Sequence, residues 1–396
     1  MPDAGERMRR RWRVMYIMYR MDKILLFPYW LTLKVRHMLF DNGLRKIYEP
    51  EVPSICIGNI TVGGTGKTPH TEMLVRTLLE DEQWYGKNIA VLSRGYKRRT
   101  KGFQQVVADG RALDYGDEPL QIKKKFPQVT VAVDSSRKEG CMFLTAPETV
   151  KTSKKGRKCI HKDFPKADLI LLDDAFQHRK VKAGVNIVLV DYSRPIFKDH
   201  LMPLGKLRDL PERIAAADIV IVSKCPKHMD GWEKSNWAQA LGLNGYDAAE
   251  CVGTRKNGKK QNLFFTTITY DTPQAIFPEG DPRYLYAQRL ILFTGIANDA
   301  PLARFLCGTY KIVKHFNFPD HHKFSRSDIM SIRNAGDVFP TSVIMTTEKD
   351  CQRVRDSKAV PESLKQRLFY APIKTEFLRP EDKEKFKAIL KAFLSV

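Results

Sequence analysis

The sequence predicts an α/β protein: a doubly wound, mostly parallel sheet, followed by a second, smaller α/β domain. Three observations carry this expectation. Apolar, β-branched runs at 52–57, 89–92, 129–133, 169–172, 187–190 and 219–222 alternate with helical or loop segments. The first run leads into a glycine-rich stretch and then into helical spacing at Met73, Leu74, Thr77 and Leu78. A fresh α/β pattern starts at 290–293 and continues through helical 301–306 and a strand at 342–345.

The glycine-rich stretch is Gly58-Asn59-Ile60-Thr61-Val62-Gly63-Gly64-Thr65-Gly66-Lys67-Thr68-Pro69. Strand, glycine loop and helix N-terminus form the arrangement in which successive backbone N–H groups surround a phosphate. Gly63, Gly64 and Gly66, with Thr65 between them, let the backbone pass close to phosphate oxygens. Lys67 would reach the β- and γ-phosphates of a nucleotide, and the Thr68 hydroxyl would ligate Mg²⁺. The general pattern G-x-x-x-x-G-K-[ST] is broken at one place, because Thr61 stands where its first glycine belongs.

At 396 residues the chain is long enough for more than one domain. Its 43% hydrophobic content is that of a folded protein, whereas a formal charge of +22 calls for an anionic partner. Seven scattered cysteines with no C-x-x-C pair indicate neither a zinc site nor a disulfide framework, and suit a reducing cytoplasm. At the N-terminus, Arg7, Arg9, Arg10, Arg11 and Arg13 precede the apolar and aromatic residues 14–19 and 24–31. Arg20, Asp22 and Lys23 interrupt that run, so it falls short of the roughly 20 residues that cross a bilayer. The expectation is an interfacial helix over 1–40, aromatics at headgroup level and arginines on anionic lipid, the alternative being a core-docked first helix with a solvated basic end. A P-loop domain over 41–255 follows. A hairpin-like linker, rich in proline and glycine, then opens the smaller domain over 256–396.

Several polar clusters lie where such sheets bind ligands, beyond the carboxyl ends of strands. The run 169–172 ends in Asp173 and Asp174, carboxylates of the kind a magnesium site needs opposite the loop threonine. Gly116-Asp117-Glu118-Pro119 reads locally as an N-cap aspartate with an acidic first turn, and alternatively as a carboxylate that accepts a hydroxyl proton. Phe318-Pro319-Asp320-His321-His322-Lys323-Phe324 offers a histidine to polarise a carboxylate or touch phosphate. Arg208 and Arg137 are candidates for charge developing on a transferred phosphoryl group. Neither Ser223-Lys224 nor the 346–350 run TTEKD matches the guanine-reading element, so guanine specificity is not expected.

Taken in order, GNITVGGTGKTP (58–69), LSRGY (92–96), GDEP (116–119), LLDDAFQHR (171–179), MPLGKLRD (202–209), FTGIAN (293–298), FPDHHKF (318–324) and TTEKD (346–350) resemble one family. It is the tetraacyldisaccharide 4′-kinases, the lipid A 4′-kinases of Gram-negative outer-membrane biogenesis. In that family Thr61 is the usual residue. The resemblance implies transfer of phosphate from ATP, with Mg²⁺, to the 4′-hydroxyl of a tetraacylated glucosamine disaccharide 1-phosphate. By position it makes Lys67 and Thr68 phosphate-loop ligands, Asp117 the catalytic base and His321 its partner. Asp173 and Asp174 become metal-side carboxylates, Arg208 a phosphate-side arginine, and Arg137 a weaker match of that type. Asn59 and Tyr96 are implied substrate contacts. Asp209 replaces the glutamate of many members, so any contact it makes is shorter. The segment 141–165 has no counterpart in this reading.

The implied substrate is an amphiphile in the cytoplasmic leaflet of the bacterial inner membrane. A basic, aromatic N-terminus and a charge of +22 fit a peripheral or monotopic enzyme there, with no nucleic-acid partner. Oligomeric state is not legible. Two other classes compete. A P-loop GTPase or ATPase assembly factor or metallochaperone would hydrolyse nucleotide without modifying lipid. A nucleic-acid-dependent ATPase would answer to charge alone, but no nucleic-acid module is present.

Overall fold

The computed structural model describes residues 25–320 and 322–394. The basic cluster Arg7–Arg13 and the rest of the expected interfacial segment up to residue 24 lie outside the described residues, as does His321.

A helix over 25–41 (α1) precedes β1 (Ser54–Asn59), α2 (Lys67–Leu79), β2 (Ile89–Ser93), β3 (Gln104–Gln105), α3 (Ala112–Tyr115), α4 (Asp117–Lys125) and β4 (Thr130–Val133). Next come α5 (Arg137–Thr145), α6 (Glu148–Thr152), β5 (Leu169–Asp173), β6 (Val185–Asp191), β7 (Ile219–Ser223), α7 (Gly231–Ala240), β8 (Leu243–Asp247), β9 (Val252–Arg255) and β10 (Lys260–Tyr270). The remainder is β11 (Gln274–Ala275), β12 (Arg289–Thr294), α8 (Ala300–Cys307), β13 (Lys311–Asn317), α9 (Arg326–Val338), β14 (Val343–Thr347), α10 (Glu348–Arg355), α11 (Glu362–Lys365), β15 (Leu368–Ala371), β16 (Ile373–Phe377) and α12 (Pro380–Leu394).

The chain forms two compact units, and both are discontinuous. The first takes the described residues up to Lys67, Ile170–Thr267, and those from Phe377. The second takes Thr68–Leu169 and Ile268–Glu376. This division differs from boundaries at 40 and 255. The reason lies in strand pairing: Asn262–Phe265 of β10 run parallel to Ile219–Val222 of β7, so the expected linker begins inside the first unit's sheet. Helix α12 returns to the same unit, setting Phe386 against Phe264 with ring centroids 5.4 Å apart.

In the first unit the strand order is β5-β1-β6-β7-β10-β9-β8. β5 through β10 are parallel neighbours, and β9 and β8 close the row antiparallel. β1 is buried along its whole length, as are β5 and β7. Continuous Val/Ile/Leu burial is what parallel strands covered on both faces require. The register sets the polar ends together: Asn59 pairs with Leu189, Asp173 with Ile57, and Asp191 with Ser223.

In the second unit β2 runs parallel to β4, with β3 antiparallel at its edge. A five-stranded sheet, β11-β15-β14-β12-β13, is parallel except for β11. Alternate strand residues serve opposite faces. Ile291, Phe293 and Ile344 pack with Ile329 and Ile332 of α9 and with Cys351 and Val354 of α10. Leu290, Leu292 and Met345 pack with Leu302 and Leu306 of α8. The unassigned segment 141–165 also builds core, since Cys141, Phe143, Leu144 and Val150 of α5 and α6 are buried.

Gly58 sits in β1 where Phe176 crosses it; a Cβ there would lie 2.6 Å from the Phe176 Cβ and 3.2 Å from its backbone N. Gly58→Ala should therefore destabilise the protein by about 1–3 kcal/mol through overpacking. Urea denaturation checks this, and an unchanged midpoint would contradict it.

Candidate active site

In the first unit the side chain of Asn59 organises the glycine loop. Its Nδ2 donates to Thr65 Oγ1 at 2.8 Å and to Thr61 Oγ1 at 3.5 Å. Its Oδ1 accepts from Arg208 Nη2 at 2.6 Å and from Lys67 Nζ at 3.4 Å. The irregular position Thr61 has a structural use as well. Thr61 and Val62 pair with the 206–207 segment, through an antiparallel bridge to Leu207 and a 2.7 Å bond from Val62 N to Lys206 O. A side chain at 61 is buried there, so this loop needs no glycine at that position. Gly63 and Gly66 do adopt the left-handed region, at φ +105° and +83°.

Two cations converge on Asp174, which follows β5 in a left-handed turn at φ +50°. Arg208 engages both of its carboxylate oxygens, and Lys67 Nζ lies 3.8 Å from Oδ1. Asp173, the last residue of β5, is buried. From the end of β7, Ser223 Oγ donates to Thr65 O at 2.8 Å, and Lys224 Nζ donates to Gly64 O. Lys224 is also 2.5 Å from Asp191 Oδ2. Burial alone would raise the Asp191 carboxyl, but hydrogen bonds from Lys224 and Ser193 outweigh it and hold the group below its usual value.

Helix α1 seats against the segments that carry Gln177 and Arg208. The buried His37 ring places Nε2 2.6 Å from Oδ1 of the equally buried Asp209. Tyr29 donates to Arg208 O at 3.1 Å, and Arg36 to Gln177 O at 2.6 Å. Arg179 donates to His37 O and pairs with Asp41 at 2.6 Å. The shorter Asp209 is thus matched by a histidine that reaches out to it. The opposite side of α1 leaves Leu25, Phe27, Trp30, Leu31, Val35 and Met38 exposed.

In the second unit the N-cap of α4 is Gly116, and Asp117 is the first helical residue, so the local N-cap reading of Asp117 does not hold. Its Oδ2 instead accepts from Arg353 Nη2 at 2.7 Å and Nε at 3.1 Å. Arg353 is held in turn by Asp350 Oδ1 at 2.9 Å. Asp350 is fully buried; its Oδ2 accepts from Gly295 N at 2.8 Å and from Thr347 Oγ1 at 2.7 Å. Burial pushes the Asp350 carboxyl up in spite of these bonds. The runs FTGIAN and TTEKD therefore serve as the support that aims Arg353 at Asp117. Glu118 pairs with Lys349 at 3.3 Å, and His322 with Asp328 at 2.9 Å.

The structure brings Asn59, Thr65, Lys67, Asp174 and Arg208 together in the first unit, and Asp117 with Arg353 in the second. Thr68 lies buried in the first turn of α2. Tyr96 is 67% exposed and available to a ligand. Two expected ligand contacts are buried. Asn59 is 0% exposed, and its amide is committed to the loop. Arg137 is 1% exposed and donates Nη1 to Asp134 O at 2.7 Å. Sequence reasoning gave Ser223, Lys224, Asp191 and Gln177 no role in the site, although all end or follow apolar strands, and it missed Arg353, which lies one turn beyond TTEKD. Among the described residues no three His, Cys, Asp or Glu side chains converge into a metal site.

Known proteins resemble this chain along most of its length. The family model for tetraacyldisaccharide-1-P 4′-kinases matches residues 22–395. A tetraacyldisaccharide 4′-kinase from Phocaeicola vulgatus is 38% identical over 353 residues, covering 88% of this chain and 87% of its own. That of Flavobacterium johnsoniae is 36% identical over 361 residues, with 89% and 92% covered. Among solved structures, LpxK from Aquifex aeolicus in complex with ATP matches with a TM-score of 0.64 at 22% identity, covering 94% of this chain and 99% of that one. That likeness is one of fold.

Replacing His37 with Ala removes the side-chain partner of a buried carboxylate, leaving it the Leu210 N–H at 2.9 Å. His37→Ala should cost about 2 kcal/mol or more in stability, read from chemical denaturation. A variant as stable as the parent would show that the pair contributes nothing.

Proposed function

The chain belongs to the tetraacyldisaccharide-1-P 4′-kinase family, and from that premise we propose how its residues carry out the reaction. The enzyme is an ATP-dependent kinase that phosphorylates the 4′-hydroxyl of tetraacyldisaccharide 1-phosphate, giving the 1,4′-bisphosphate precursor of lipid A. The observation that carries the assignment of roles is the convergence of Lys67 and Arg208 on Asp174 beside the loop that Asn59 holds.

The loop from Gly63 to Thr68 cradles the ATP phosphates with its N–H groups, and Lys67 reaches the β- and γ-phosphates. Phosphate oxygens compete with Asp174 for the same two cations, so Lys67 and Arg208 are placed to stabilise charge on the group in transit. Thr68, Asp173 and Asp174 carry the hard oxygen donors that Mg²⁺ prefers and would hold the ion. When bound, the ion would neutralise charge between the phosphates. Asp117 takes the proton of the 4′-hydroxyl as the new P–O bond forms and the bond to ADP breaks. Arg353 fixes the orientation of that carboxylate. His321 is assigned as its partner on the FPDHHKF run, and Tyr96 as a headgroup contact on its exposure.

No helix among the described residues is long and apolar enough to cross a membrane. The exposed apolar side of α1, including Phe27 and Trp30 with stacked rings 5.8 Å apart, supports peripheral docking on the cytoplasmic face of the inner membrane. A charge of +22 adds attraction to anionic lipid.

A phosphate-transfer assay with radiolabelled ATP and tetraacyldisaccharide 1-phosphate tests the roles. Asp117→Ala should lower kcat roughly 10²–10⁴-fold while the protein stays folded, as expected for loss of a general base. Full activity in that variant would remove Asp117 from the base position, and hydrolysis without lipid labelling would favour the assembly-factor class. Converting Trp30 and Leu31 together to Ser should reduce cosedimentation with anionic vesicles and raise KM for lipid but not for ATP. Equal effects on both substrates would count against docking through α1.

A further inference from the structure

The second unit contains a cavity of about 410 Å³ that none of the proposed reaction residues lines. Lys124 and Lys125 of α4, Gln352 and Arg355 of α10, Arg76 of α2 and Tyr370 of β15 form much of its wall. Four of the lining residues are cations, against two carboxylates, Glu348 and Asp271. Lys125 is already neutralised, with Nζ 2.6 Å from Glu72 Oε2 and 2.5 Å from Glu348 Oε1. That bridge also engages Glu348, whose other oxygen accepts from Ile373 N at 3.0 Å. Asp271 lies at the exposed rim and bonds the N–H of Thr272.

The other three cations form no ion pair among the described residues. Arg76 lies over the Phe126 ring at 5.8 Å. Lys124 donates to the neutral Gln352 Oε1 at 2.8 Å, and Arg355 donates Nε to Ile276 O at 3.0 Å. All three are only partly exposed. Grouping half-buried like charges is unfavourable unless a counter-charge arrives. The Lys124 ammonium registers this: burial lowers its pKa first, and the charge of Arg355 lowers it further, with Asp356 opposing in part.

We propose that this cavity binds a small polyanion of the phosphate class, held between Lys124, Arg355 and Arg76. Two guanidinium forks match the tetrahedral oxygens of a phosphate and an ammonium adds a point charge, the combination that favours phosphate over a single carboxylate. The volume falls within the usual range of small-molecule sites, about 300–1,000 Å³. The site is separate from the phosphate loop, and it joins α4 and α10, the helices that carry Asp117 and Arg353.

The test uses inorganic pyrophosphate without metal, titrated calorimetrically into the full chain carrying Lys67→Ala, which weakens the phosphate loop. One saturable site is expected. Adding Lys124→Gln and Arg355→Gln should weaken it about tenfold or more, as loss of charge-assisted hydrogen bonds predicts. Hydrogen exchange on the Lys67→Ala protein gives a readout independent of cavity variants: pyrophosphate should protect α4 and α10. No saturable binding at millimolar pyrophosphate, no protection of those helices, or equal affinity after both substitutions would overturn the proposal. Equal affinity for malonate would overturn the phosphate assignment.

Discussion

Buried at the end of β1, the Asn59 amide must satisfy two donors and an acceptor away from water, and the phosphate loop takes its shape from how it does so. Its NH₂ group reaches the hydroxyls of Thr65 and Thr61, while its oxygen accepts from Arg208 and Lys67. One side chain therefore sets both the path of the loop and the position of its two cations. A half-satisfied amide at this depth would cost about 1–3 kcal/mol per missing partner, so the network persists as a whole. The strand register does the rest, since it brings Asp173 and Asp174 to the same end of the sheet as Asn59.

A comparable chain of dependence runs through the second unit. Asp350 is fully buried at the start of α10, and its two oxygens hold Gly295, Thr347 and Arg353. A carboxylate in that position is tolerated because each oxygen is bonded, although burial still raises its pKa. The result is a rigid mount for Arg353, and through it for Asp117. The orientation of Asp117 thus depends on residues that never touch it.

The positive charge of the chain divides by purpose. Arg208 and Lys67 are balanced by Asp174, and Lys125 by two glutamates. Arg76, Lys124 and Arg355 line the second unit's cavity with no carboxylate at ion-pair distance among the described residues. On α1 the balance is between two apolar sides: Leu33, His37 and Phe40 face inward, while Phe27, Trp30, Leu31 and Met38 face out.

Much of the fold was legible along the chain, because buried parallel strands are local, continuous apolar runs and the glycine loop with Lys67 and Thr68 occupies consecutive positions. For the same reason Asp173, Asp174 and Arg208 could be picked out at strand ends and turns, and the motif series pointed to the family. Other roles were hidden. The burial of Asn59 and Arg137 could not be read along the chain, because exposure is not written in a residue's neighbours. The units interleave because β10 pairs with β7, about 40 residues upstream, and a pairing at that separation has no local signature. By itself the sequence determined the strand–loop–helix that holds phosphate and the set of charged groups available. The tertiary structure alone decided which of those charges pair, as with Arg353 on Asp117 and His37 on Asp209. Ion pairing depends on distance and burial, and both arise only when remote segments pack together.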